Sequence, residues 1–150
     1  MTPEEQAYGL LTYIYGHKNI KIDKNKIVVK YNKSKRIKYI YYGDKPIFAY
    51  RNNDGYLLPL ADAARYLKAP YVVVDGETAK FVAQGRSVPA KFIKGHSKGV
   101  RPNEEVLIVA EDGTPTAIGR LIYSIRELSL GRGYAVKPRV IISNLDKPEP

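Results

Sequence analysis

The residues able to do chemistry are few and scattered in this sequence. His17 and His96 are its two histidines, each in a basic, glycine-containing stretch, and there is no cysteine. That removes disulfides, thiolate metal sites and cysteine nucleophiles. No further ligands stand at workable spacing from either histidine, so both read as surface groups and no metal or cofactor is expected. Ser87 and Ser124 have no histidine nearby in sequence to act as base. Ser124, three residues before Glu127, is better placed to open a capping box. Asp75 and Glu77 could pair for acid–base work, but at a helix start they satisfy orphan N–H groups. Asp54 precedes Gly55 and belongs to a turn. Gly131-Arg132-Gly133 lacks the strand–loop–helix order of a dinucleotide or phosphate loop.

What the sequence does hold is positive charge. Its 150 residues carry 25 lysines and arginines against 15 acids, a net charge of +10, with a pI near 9.7. Such a surface favours polyanions, nucleic acid first and anionic membrane second. The plainer alternative is a basic protein whose lysines only keep it soluble. No apolar run approaches the ~20 residues of a bilayer span, and MTPEEQ lacks a signal pattern. The expectation is a cytoplasmic protein with no membrane partner.

Two stretches concentrate the cations. Tyr71 to Ile93 opens with a buried strand, Tyr71-Val72-Val73-Val74. Asp75 then caps a short helix through Phe81 and Val82, and Gly85 sits where a left-handed stop is expected. Arg86 and Ser87 lead a second strand that carries Lys91 outward. Cations and open backbone N–H groups thus meet at one corner, which suits an anion. The second stretch, Lys18 to Lys38, has nine cations and one acid, Asp23. Strands at Lys26–Tyr31 and Arg36–Tyr42 make a hairpin, with Ile37, Tyr39 and Tyr41 on one face and Arg36 and Lys38 on the other. That face can follow a phosphate backbone, or be a solvated surface over a tyrosine-rich core.

The remaining elements position these two. Thr2-Pro3-Glu4-Glu5 starts a helix with a capping box, its apolar face Ala7, Leu10, Leu11 and Ile14. Pro46–Arg51 and Tyr56–Leu58 extend the sheet around a turn at Asn52-Asn53-Asp54-Gly55, and Leu60, Ala64 and Leu67 mark a short helix. Lys68-Ala69-Pro70 is too short for a free tether, so two domains should pack together. Strands follow at Val106–Val109 and Thr116–Tyr123, with a hairpin turn at Asp112-Gly113 and a close approach at Gly119. A helix opens at Ser124. The last strand, Tyr134 to Ile142, can lie beside Val72–Val74 and close a barrel.

GRSVPAKFI (85–93), RPNEEVLIVAEDG (101–113), AIGR (117–120) and RGYAVKPR (132–139) stand in the order and spacing of a PUA domain. The phrasing resembles the C-terminal region of archaeal tRNA-guanine transglycosylases and archaeosine synthases. SKRIKYIYY and RNNDGYLLPL resemble the preceding domain of those enzymes. The resemblance implies an α+β chain, with a small N-terminal α/β domain at 1–69 and a PUA-type β pseudo-barrel at 70–145. A loose tail at 146–150 is expected to follow. It also implies RNA along a groove with Gly85, Arg86, Ser87 and Lys91 on one wall and Arg132, Gly133, Lys137 and Arg139 on the other. Lys80 and Lys94 are outer candidates, and Arg36 and Lys38 would add an electrostatic footprint.

The related enzymes exchange a base within a (β/α)8 barrel, aided by a structural zinc. A barrel needs roughly 200 residues and such zinc sites need cysteines, so catalysis is not expected to carry over. The implied function is tRNA acceptor-end binding, as an accessory to a separate catalytic tRNA-modification subunit. A translation or ribosome-assembly factor binding other structured RNA is the alternative, and a small RNA-modifying enzyme the third.

Overall fold

A computed structural model of the chain describes residues 2–51 and 53–142. The expected tail at 146–150, the end of the expected second domain and Asn52 of the predicted turn lie outside the described residues. The chain divides into two compact units, Met1–Lys68 and Ala69–Pro150. Among the described residues, no helix is long and apolar enough to cross a membrane.

The first unit sets helix α1 (Pro3–Tyr15) on a sheet of β1 (Ile27–Tyr31), β2 (Ile37–Tyr42), β3 (Lys45–Tyr50) and β4 (Leu57–Pro59), in the order β1-β2-β3-β4. Thr2 caps α1 by accepting from the Glu5 N–H at 3.1 Å, one half of the expected box. The buried stripe is Ala7, Leu11 and Tyr15, with Leu10 and Ile14 only half-buried. Tyr15 reaches the core because its ring packs on Phe48, 5.5 Å away, while its hydroxyl donates to the Leu57 carbonyl. The predicted short helix is a 3₁₀ segment, Ala61–Arg65, that buries Ala63.

The β1–β2 hairpin differs from expectation. Lys30 pairs with Tyr39 but Tyr31 pairs with Ile37, so Lys38 is an extra residue in a bulge. One inserted residue exchanges the faces on either side of it. Ile37 therefore joins Ile40 in a hollow of about 470 Å³ with Ala7, Leu10 and Leu57, and Arg36 lines that hollow too. Tyr39 and Tyr41 lie with the lysines instead of opposite them. Lys38 Nζ stands 5.4 Å from the Tyr39 ring centre and Lys30 Nζ 5.8 Å from that of Tyr41.

The second unit is a six-stranded, nearly closed sheet that buries helix α2 (Gly76–Ala83) along one side. Its strands are β5 (Tyr71–Val74), β6 (Val88–Pro89), β7 (Ile93–His96), β8 (Glu105–Ala110), β9 (Pro115–Leu121) and β10 (Tyr134–Ile141), ordered β6-β10-β9-β8-β5-β7. Short α3 (Ile125–Leu128) begins with the full capping box of Ser124 and Glu127. The core gathers Val72, Val74, Val82, Val88, Val106, Ile108, Leu121 and Val136. Here β10 is not a neighbour of β5, as the sequence suggested. Its outer edge is taken by β6, with Val136 opposite Val88, and β5 runs parallel to β8. The sheet edges are thus a two-residue strand and a four-residue strand, too short to recruit another chain. At Gly119, a Cβ would collide with the Lys137 carbonyl, so only glycine lets β9 approach β10 there.

Candidate nucleic-acid interface

The end of α2 shows how local sequence fixes a cation. Gly85 has φ +88°, with open space around the missing Cβ. The Arg86 N–H bonds the Phe81 carbonyl at 3.2 Å and the Gly85 N–H bonds that of Val82 at 2.8 Å. This is the Schellman pattern, in which the residue after the glycine also packs on the residue five before it. Here that contact is a guanidinium on a ring: Arg86 Cζ lies 5.6 Å from the Phe81 centre.

Beyond Ser87, β6 is only two residues long, so Lys91 is carried by a 3₁₀ turn (Ala90–Phe92) and not by the strand expected. Lys91 Nζ stands 5.1 Å from the Phe92 ring centre. The turn is tied to the far wall by the Ala90 N–H, which donates to the Gly133 carbonyl at 2.9 Å. Gly131 passes against Lys91, where a Cβ would lie 3.8 Å from that of the lysine. Gly133, at φ +67°, has a reason of its own: any Cβ there would strike the Tyr123 hydroxyl.

Two adjoining clefts result. One, of about 500 Å³, is lined by Asp75, Glu77, Thr78, Phe81, Arg86, Ser87, Pro89, Phe92 and Tyr134. The other, of about 370 Å³, shares Pro89, Phe92 and Tyr134 and adds Lys91, Gly131 and Gly133. Phe81, Phe92 and Tyr134 are 45%, 40% and 60% exposed, an uncommon density of open aromatic surface. Sequence reasoning missed these rings. The available signal was Phe81 lying beside, not on, the Thr78–Val82 stripe.

Of the residues singled out from the sequence, Arg86, Ser87, Lys91 and Gly133 line these clefts, while Gly85 and Arg132 flank them in the adjoining turns. Lys80 is exposed near the end of α2. Lys137 is exposed further along β10, opposite Arg120. Arg139 meets the carboxylate of Glu105, and Lys94 lies near enough to Asp75 to act on its charge. The Asp75 carboxyl is held below its usual range, first by the Thr78 N–H at 2.7 Å, then by the Thr78 hydroxyl, with Lys94 adding to the effect. Among the described residues, no three histidines or acids gather as a metal site.

Comparison with known proteins fits this geometry. The PUA domain model matches residues 70–142, and the patch-forming domain C2 of tRNA-guanine transglycosylase matches residues 5–77. A tRNA-guanine(15) transglycosylase of Methanococcus aeolicus is 32% identical over 87% of this chain and 22% of its own length. That of Methanosphaera stadtmanae is 33% identical over 78% of this chain and 18% of its own. The chain thus spans about a fifth of the length of these curated relatives. A conserved PUA-domain protein from Thermoplasma acidophilum shares the fold, with TM-score 0.71 and 19% identity over 96% of this chain and 93% of that one. A hypothetical protein of Pyrococcus horikoshii does so with TM-score 0.71 and 24% identity over 95% of this chain and 91% of that one. The chain carries a PUA domain, residues 70–142, preceded by a patch-forming domain C2 of the tRNA-guanine transglycosylase kind, residues 5–77.

Proposed function

We propose that this protein is a non-catalytic RNA-binding module that holds tRNA by its acceptor end for a separate tRNA-modifying subunit. The observation that carries the reading is the double cleft of the second unit, with Arg86 and Lys91 seated on Phe81 and Phe92 beside an open Tyr134. A cleft meant for phosphate alone would be lined by cations only. This one has Asp75 and Glu77 along its side, which repel phosphate but can accept from the amino groups of a base. An unpaired nucleotide satisfies both halves: its base stacks on the rings, and its phosphates meet Arg86, Lys91 and Arg132 at the rim. A tRNA acceptor end offers a duplex handle and unpaired nucleotides together. The relatives, named as tRNA-guanine(15) transglycosylases, support tRNA as the RNA. The Lys38–Tyr39 and Lys30–Tyr41 pairs of the first unit would add backbone contacts.

Affinity capture from a native archaeal extract tests the accessory role. The expected result is tRNA together with a transglycosylase or archaeosine-forming catalytic chain. Recovery of only ribosomal or translation components would overturn it.

A further inference from the structure

The first unit carries most of the excess charge: residues 1–68 hold thirteen lysines and arginines against six acids. Two of those lysines are brought together by the backbone. Ile20 and Leu67 form an isolated antiparallel bridge, flanked by bonds from the Lys21 N–H to the Tyr66 carbonyl at 2.9 Å and from the Lys68 N–H to the Asn19 carbonyl at 2.8 Å. Ile20 and Leu67 are buried, so the next residue on each strand, Lys21 and Lys68, points to the opposite face. Both are exposed, and their diagonal placement across the ladder is within reach of long side chains.

Lys21 draws the Lys68 pKa below its usual value, through its side chain first and by charge second. Among the described residues, neither lysine has a carboxylate at ion-pair distance. The acids nearest in sequence are committed elsewhere. Asp23 accepts from the Asn25 N–H, and Asp62 faces Lys45 and Arg65. The platform is braced by Tyr42, whose ring meets that of Tyr66 at 4.8 Å and whose hydroxyl accepts from the Asp23 N–H. Like charges held together with no counter-ion are unfavourable alone and favourable around an anion.

We propose that Lys21 and Lys68 form a two-pronged clamp for one backbone phosphate of the bound RNA. The clamp rests on the RNA-binding reading above and gives the first unit its own grip. Two donors on one phosphate hold position without reading sequence.

The test measures tRNA binding by the full chain across a salt series. Lys21→Ala/Lys68→Ala should lower affinity on the order of tenfold and reduce the steepness of the log–log salt slope by about 1 to 2. Lys21→Arg/Lys68→Arg should restore both. Lys98→Ala/Arg126→Ala removes the same charge from exposed loop and helix positions of the second unit and should change the slope less. An unaltered slope in the Lys21/Lys68 variant, or an equal change in both alanine pairs, overturns the clamp and leaves the RNA reading standing. A wild-type chain that ignores tRNA overturns that reading and the clamp with it.

Discussion

The Nε of Arg139 donates to the carboxylate of Glu105, a residue only 4% exposed. A forked cation that looked free for phosphate in the sequence instead neutralises a buried acid on β8, two strands away in the same sheet. Removing the arginine would leave that carboxylate buried with fewer partners, which is costlier than losing a surface ion pair. We predict that Arg139→Ala lowers stability by about 2–3 kcal/mol, read by urea denaturation, and reduces tRNA affinity less than Arg86→Ala. A stable variant with the larger affinity loss would place Arg139 against RNA.

Phe81, Phe92 and Tyr134 should separate binding from folding. Because all three are well exposed, each alanine substitution should leave the melting temperature nearly unchanged. Each stacked base lost should cost about 1–3 kcal/mol of binding, and only for tRNA that retains its unpaired end. Equal losses with a trimmed acceptor stem would move the rings out of the interface.

Three glycines predict three different outcomes. Gly119→Ala drives a Cβ into the Lys137 carbonyl, which the paired strands cannot avoid, and should destabilise by about 2–4 kcal/mol. Gly85→Ala meets open space but at φ +88°, so about 1 kcal/mol should be lost. Gly9→Ala, in the middle of α1 with nothing nearby, should stabilise by about 0.5–1 kcal/mol. Thermal denaturation of the three variants checks the order.

Asp54 gives a signature in acid. Arg51 holds its carboxylate by two bonds of 2.8 and 2.6 Å and the Tyr56 N–H adds a third, bringing its pKa down to about 2 from the usual 3.8. Since the folded value lies below the unfolded one, the contribution is complete above about pH 4 and disappears as pH falls toward 2. Asp54→Asn should flatten that part of the stability profile and leave the neutral region's slope unchanged. An unchanged acid limb would exclude the Arg51 contact as its source.

Features set by residues close in sequence were legible before the structure. Asp75 caps α2, Gly85 ends it in a left-handed turn, Ser124 and Glu127 make their box, and Gly119 permits a close approach, each through a rule spanning a few residues. Features that depend on register or partners were not. The bulge at Lys38 depends on how β1 and β2 align and reverses which residues share a face. The Glu105–Arg139 contact joins residues 34 apart, and the pairing of β10 with β6 joins segments far apart in the chain. The open aromatic rings escaped notice because sequence patterning assigns large apolar residues to the core by default.

On the function proposed above, the second unit grips an unpaired RNA end through a cation-rimmed aromatic cleft. The most direct measurement is binding of purified protein to tRNA with and without its terminal unpaired nucleotides, across a salt series. We predict tighter binding to the intact molecule and a log–log salt slope of about −3 to −7, as for roughly four to eight neutralised phosphates. Equal affinity for both forms, or no binding in dilute buffer, would contradict it.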